Sequence, residues 1–112
     1  MMKNFILPFP QIKLHEMFPE KEIRQVDLDG LKVGVCRIGD EYFAFESTCP
    51  HRMTSLILGV ISEEKEVICP LHSYRFDLKT GAVIAGMCRE LEIYPVEIVE
   101  EGLKISIPEI SN

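Results

Sequence analysis

Two short runs in the middle of this 112-residue chain, Cys49-Pro50-His51 and Cys69-Pro70-Leu71-His72, each offer one thiolate and one imidazole. Proline fixes its own φ and restricts the residue before it, so both cysteines are expected in extended backbone on stiff loops. Seventeen residues separate His51 from Cys69. If the loops face each other, two sulfur and two nitrogen donors share one site. Two such units in so short a chain are hard to reconcile with four unrelated core and surface residues. Two metal chemistries fit the donor set. Zinc accepts Cys₂His₂ as a tetrahedral structural site, which would make the chain a colourless, zinc-stapled interaction module. A [2Fe–2S] centre with two cysteines on one iron and two histidines on the other accepts it equally. Paired zinc ligands usually have at least two residues between them, and Cys49 and His51 have one. The mixed composition of each loop suits a group with two metal positions.

The rest of the chain must hold those loops. Residues 1–19 carry Pro8, Pro10 and Pro19 and read as an irregular lead-in with one extended segment at 11–14. Residues 22–28 alternate loosely into Asp29-Gly30, a tight-turn dipeptide between apolar runs. Strands are expected at 31–38 and 41–45, joined by Gly39-Asp40, because Val, Ile, Tyr and Phe suit a pleated surface. Residues 47–86 lack sustained periodicity. They read as two short strands, 58–62 and 66–69, about a Glu63-Glu64-Lys65 turn, and a third strand end at Phe76-Asp77 before a turn closed by Gly81. Alternation returns at 91–99 and 103–107, a hairpin about Glu100-Glu101-Gly102 that ends at Pro108. No window supports a long amphipathic helix. The expected fold class is therefore all-β, one domain over 1–112. A scaffold from about 18–46 and 87–108 carries a loop-rich metal-binding subdomain at about 47–86.

Bulk properties narrow the function. With 12 Lys+Arg against 18 Asp+Glu the net charge is −6, which argues against nucleic acid as a partner and suits a basic protein surface. The hydrophobic fraction of 46% is that of a globular chain. No apolar run exceeds strand length and the N-terminus lacks the pattern of a signal peptide, so a cytoplasmic protein with no membrane partner is expected. Four cysteines in a reducing compartment point to metal rather than disulfides.

The extended runs Cys49-Pro50-His51-Arg52 and Cys69-Pro70-Leu71-His72-Ser73-Tyr74-Arg75-Phe76-Asp77-Leu78-Lys79-Thr80-Gly81 resemble the two signature boxes of the Rieske ferredoxin family. The flanks, Gly39-Asp40-Glu41-Tyr42-Phe43-Ala44 and the closing hairpin, extend the resemblance over about 18–107. It implies three antiparallel sheets with a cluster-binding subdomain, and one [2Fe–2S] cluster per chain. Cys49 and Cys69 would ligate the inner iron, and His51 and His72 the outer, solvent-facing one. The implied role is single-electron transfer to or from an oxygenase or reductase, with no catalytic residue or substrate site of its own. The run around His72 is also similar to small subunits of NADH-dependent nitrite reductase, so a non-catalytic subunit of a larger reductase is the alternative.

The charge arithmetic of that cluster favours reduction: two ferric irons, two sulfides, two thiolates and two neutral imidazoles sum to zero. An all-cysteine cluster would be two units more negative. Relatives of high potential place an extra cysteine where this chain has Thr54 and Leu71, and hydroxyl side chains where it has Tyr74 and Phe76. Without a bridge and with fewer hydrogen bonds to the cluster, a potential near the low end of the Rieske range, about −150 mV, is expected. That potential is expected to fall with pH only in the alkaline range. Met53 and Ser73 replace glycines common in the family, at positions where the backbone is expected to be unusual. His15 reads as a surface residue, Cys36 as a small buried hydrophobe and Cys88 as a free thiol. Arg52 and Arg75 are expected either to dock an acidic partner or to pair locally. Met53 and Leu71 read either as an apolar rim or as loop packing. The glutamates of the closing hairpin read as a solvated face.

Overall fold

The computed structural model describes residues 2–108. Three antiparallel sheets account for the architecture. The central one is built from β2 (Arg24–Leu28), β3 (Leu31–Ile38), β4 (Glu41–Glu46) and β9 (Ile93–Tyr94), in that order. The two turns expected at Asp29-Gly30 and Gly39-Asp40 join its first three strands. Asp29 and both glycines have positive φ.

This sheet is buried on both faces, and the alternation of β3 and β4 shows how. Val33, Val35, Tyr42 and Ala44 face one core, with Leu14, Phe18, Tyr94, Leu103, Ile105 and Ile107. Cys36, Phe43 and Phe45 face a second core, with Cys49, Leu56, Ile61, Val67, Cys69, Phe76 and Leu78. A two-sided burden explains why β3 reads as an almost continuous apolar run. Gly34 lies opposite Phe45, and a Cβ there would come within 2.7 Å of the phenyl ring, so the glycine makes room for one of the largest buried side chains.

The first core is closed by a sheet of β1 (Met2–Leu7), β11 (Gly102–Pro108) and β10 (Val96–Val99). Here the structure departs from the sequence reading twice. The lead-in is not irregular: β1 pairs with β11 from Met2↔Pro108 to Leu7↔Leu103, and residues 11–14 begin α1 (Gln11–Met17) rather than an extended segment. Pro10 fits just before a first helical turn, and Leu14 and Phe18, one turn apart, anchor the helix in the core. Residues 91–99 are likewise not one strand. Pro95, unable to donate to a ladder, divides β9 in the central sheet from β10 in the outer one.

The second core is closed by β5 (Val60–Ile61), β6 (Glu66–Ile68), β7 (Arg75–Asp77) and β8 (Val83–Ala85), preceded by a 3₁₀ turn at Leu56–Leu58. This sheet lies wholly in the chain between β4 and β9. The ion pairs Lys21–Glu63 and Lys65–Glu41 tie it to the scaffold. Among the described residues, no helix is long and apolar enough to cross a membrane.

Candidate metal centre

Both box motifs form loops closed in the same way. The Cys49 N–H donates to the Thr54 carbonyl at 2.7 Å, and the Cys69 N–H donates to the Tyr74 carbonyl at the same distance. Each loop thus returns to its cysteine five residues on. The fourth residue after each cysteine, Met53 (φ 57°) and Ser73 (φ 54°), is left-handed, as is His72 (φ 64°). These are the two positions singled out in the sequence for replacing glycine. The backbone takes the unusual conformation there, and the side chains are accommodated because both point to solvent.

The loops bring the four predicted donors together. Cys49 and Cys69 are fully buried in the second core, and their thiols lie within hydrogen-bonding reach of each other. His51 and His72 lie toward solvent, with ring centroids 5.4 Å apart. Burial is the main force pushing the Cys49 thiol pKa up, and the Cys69 thiol adds to it. The backbone N–H groups of His51 and Arg52 act in the opposite direction by donating to Cys49, which favours the thiolate. The imidazole of His51 is pushed below its ordinary value, first by burial and then by the charges of Arg52 and His72.

One atom tests whether these residues fit a bound group. His51 Nδ1 is buried and has no hydrogen-bond partner. A buried polar nitrogen without a partner is costly unless something else satisfies it, and a metal ion does so. The thiols pair at the buried end and the imidazoles pair outside it. That disposition suits two metal positions, and a [2Fe–2S] cluster fits it.

The surroundings follow the sequence reading and settle its open alternatives. All four cysteines are free thiols; Cys36 is fully buried and Cys88 half-buried. Thr54 and Leu71 are half-buried, and Leu71 packs on the second core rather than standing out as a rim. Met53 is 72% exposed. Arg75 pairs locally with Glu66 at 3.0 Å, whereas Arg52 is exposed and makes no ion pair among the described residues. His15 is on the surface beside Asp40, and Glu90, Glu92, Glu97, Glu100 and Glu101 are all exposed.

Sequence reasoning missed the brace behind the site. Glu46, at the end of β4, accepts both terminal nitrogens of Arg89 (2.7 and 2.9 Å) and the Glu92 N–H (2.8 Å). This fixes the segment after Gly86 against the strand that leads into the first loop. No local pattern could have paired residues so far apart in the chain.

Comparison with known proteins agrees with the geometry. Residues 9–95 match the model of the Rieske [2Fe-2S] domain family. The ferredoxin component of the naphthalene 1,2-dioxygenase system of Pseudomonas aeruginosa is 32% identical over 97 residues, which is 86% of this chain and 89% of that one. Among solved structures, the ferredoxin of carbazole 1,9a-dioxygenase from Nocardioides aromaticivorans IC177 superposes with a TM-score of 0.75 at 32% identity. That match covers 84% of this chain and 91% of that one. A protein described as an NADH-dependent nitrite reductase small subunit from Mycobacterium tuberculosis superposes at 0.77, covering 98% and 97%, but at 16% identity. That likeness is one of fold alone.

Proposed function

This chain belongs to the Rieske [2Fe-2S] domain family, and from that premise we propose that it is a ferredoxin passing single electrons to or from an oxygenase. Cys49 and Cys69 would hold one iron of the cluster, and His51 and His72 the other. The observation that carries the assignment is the meeting of the two box loops, with buried thiols in contact and His51 Nδ1 left without a protein partner. When bound, the cluster supplies a one-electron couple.

The protein's own contribution is to bind, orient and shelter. The second core excludes water from the thiolate side, and the backbone N–H groups of His51 and Arg52 stabilise the sulfur charge there. With Nδ1 of His51 turned inward, Nε2 is the nitrogen left to carry the proton. The outward side is the way in for a partner. Met53, on the first loop, is 72% exposed, and Met87, next to the Gly86 that lies against the Tyr74 ring, is 90% exposed. Residues 47–86 hold four basic and four acidic side chains, so the net charge of −6 resides in the scaffold. The absence of a substrate site and a cytoplasmic location belong to the same reading, supported by the ferredoxin relatives and by four free thiols.

Metal analysis of the purified protein tests the site. Two iron and two sulfide per chain are expected, and Cys69→Ser should lose them; zinc instead would overturn the assignment. Turnover of a dioxygenase component dependent on the protein tests the role. Co-purification with a large flavin- or haem-containing reductase, without such turnover, would assign it instead to the small-subunit role.

A further inference from the structure

The side chain that meets His51 face to face is Tyr74. The two rings are stacked, with centroids 3.8 Å apart and planes 9° from parallel. By contrast the two imidazoles are tilted by 52° at 5.4 Å. Tyr74 belongs to the second box loop, where its carbonyl accepts the Cys69 N–H at 2.7 Å. Its ring reaches across to the histidine of the first loop. Against the ring lies Gly86, at φ 121°, a conformation that side chains resist. A Cβ there would come within 2.3, 2.4 and 2.6 Å of three ring carbons. The tyrosine ring therefore packs closely against the Gly86 backbone as well as against the imidazole it covers.

We propose that Tyr74 is a positioning residue for His51, fixing the plane of its imidazole and hence the direction in which Nδ1 points; the proposal rests on the reading of His51 as an iron ligand. Aromatic rings pack edge-on or at an offset across a range of angles. Near-parallel contact at 3.8 Å with a ring that Gly86 also holds in place leaves the imidazole little freedom to rotate about its Cβ–Cγ bond. The hydroxyl plays no part in this contact, so a phenyl ring should serve as well. The close approach of Gly86 to the ring makes it a positioning residue at one remove.

The test uses the full-length, cluster-loaded protein with ¹⁵N-labelled histidine, reduced with dithionite and examined by electron–nuclear double resonance. The unaltered protein should show two histidine nitrogen couplings. Tyr74→Ala should change or broaden one and leave the other, while Tyr74→Phe should leave both. Gly86→Ala, which forces the ring aside, should alter the same coupling, and adding it to Tyr74→Ala should alter that coupling no further. Cluster loss to a chelator should quicken about two- to tenfold in Tyr74→Ala, the range set by an aromatic contact of ordinary strength, and return to normal in Tyr74→Phe. If Tyr74→Ala does not retain the cluster, Tyr74→Leu takes its place with the same expectations, since leucine fills space without a flat face. Two couplings unchanged in these variants, or a Tyr74→Phe variant as perturbed as Tyr74→Ala, would overturn the proposal. Fewer than two histidine couplings in the unaltered protein would overturn the ligand assignment itself, and the proposal with it.

Discussion

Met53→Gly should stabilise the protein, although it removes a large side chain from the loop that carries His51. Met53 is held at φ 57° because its N–H donates to the Cys49 carbonyl (2.8 Å) and the Cys49 N–H donates to Thr54 (2.7 Å). A left-handed conformation costs a residue bearing a Cβ about 1–2 kcal/mol, and glycine escapes that cost. Glycine in turn loses about 0.5–1 kcal/mol through the greater freedom of its unfolded chain. The methionine side chain is 72% exposed, so little burial is lost with it. The balance is a gain of about 0.5–1 kcal/mol, which for a domain of this size raises the unfolding midpoint by about 2–4 °C. Ser73→Gly, at φ 54° and exposed, should give a similar gain, and the two should add, since each loop closes on its own cysteine. The assay is scanning calorimetry at one fixed scan rate on preparations of equal iron content. Met53→Ala is the control: it removes the same surface but keeps the Cβ, and should show no comparable rise. A lower midpoint for Met53→Gly, or equal rises for glycine and alanine, would refute the reasoning.

Glu46→Ala should destabilise the loaded protein by about 1–3 kcal/mol, because three charge-assisted hydrogen bonds are lost and Arg89 keeps only the Glu90 carbonyl; denaturant midpoints measure this, and Arg89→Ala in the same background should cost little more. Stability should decline at alkaline pH. Burial pushes the Cys36 thiol up to about 12, so its contribution is complete below the unfolded value of about 8.5 and is lost as pH rises toward 12, at up to about 1.4 kcal/mol per pH unit. Tyr94, raised to about 12 chiefly by burial, adds a second decline above about pH 10. Chemical denaturation of Cys36→Ala at pH 8 and pH 10 should therefore show a smaller drop between the two than the unaltered chain shows. The midpoint potential should lie near −150 mV, because Phe76 offers no hydroxyl and no disulfide flanks the cluster loops; a clearly positive potential in a redox titration would contradict this.

What could be read from the sequence is what depends on neighbours in sequence. Asp29-Gly30 and Gly39-Asp40 announce their turns, and Leu31–Ile38 forms its strand without remainder, because alternation and turn chemistry are local. The candidate donors stand out in the sequence for the same reason: each box is a contiguous motif. Met53 and Ser73 also stand out as backbone anomalies, since a glycine position betrays its φ. The first strand was hidden by the prolines around it, because its partner Gly102–Pro108 lies at the other end of the chain. The helix over Gln11–Met17 is too short for a period to emerge, and only Leu14 and Phe18 mark its inner face. The stack of Tyr74 on His51 and the grip of Glu46 on Arg89 join residues 23 and 43 positions apart, beyond the reach of any local pattern.

The central sheet has a further consequence. Strands β4 and β9 are direct neighbours, paired at Ala44↔Tyr94 and Phe45↔Ile93, and the Glu46 N–H donates to the Glu92 carbonyl at 3.0 Å. The whole metal-bearing segment thus leaves and re-enters the scaffold through a single pair of adjacent strands, as a long loop whose ends are already joined. The entropy of joining loop ends grows only with the logarithm of length, about 0.6 kcal/mol for each doubling. Lengthening or shortening this excursion therefore disturbs the closure of the scaffold very little. What limits such grafts is the face of Cys36, Phe43 and Phe45 beneath it, which any replacement must still cover.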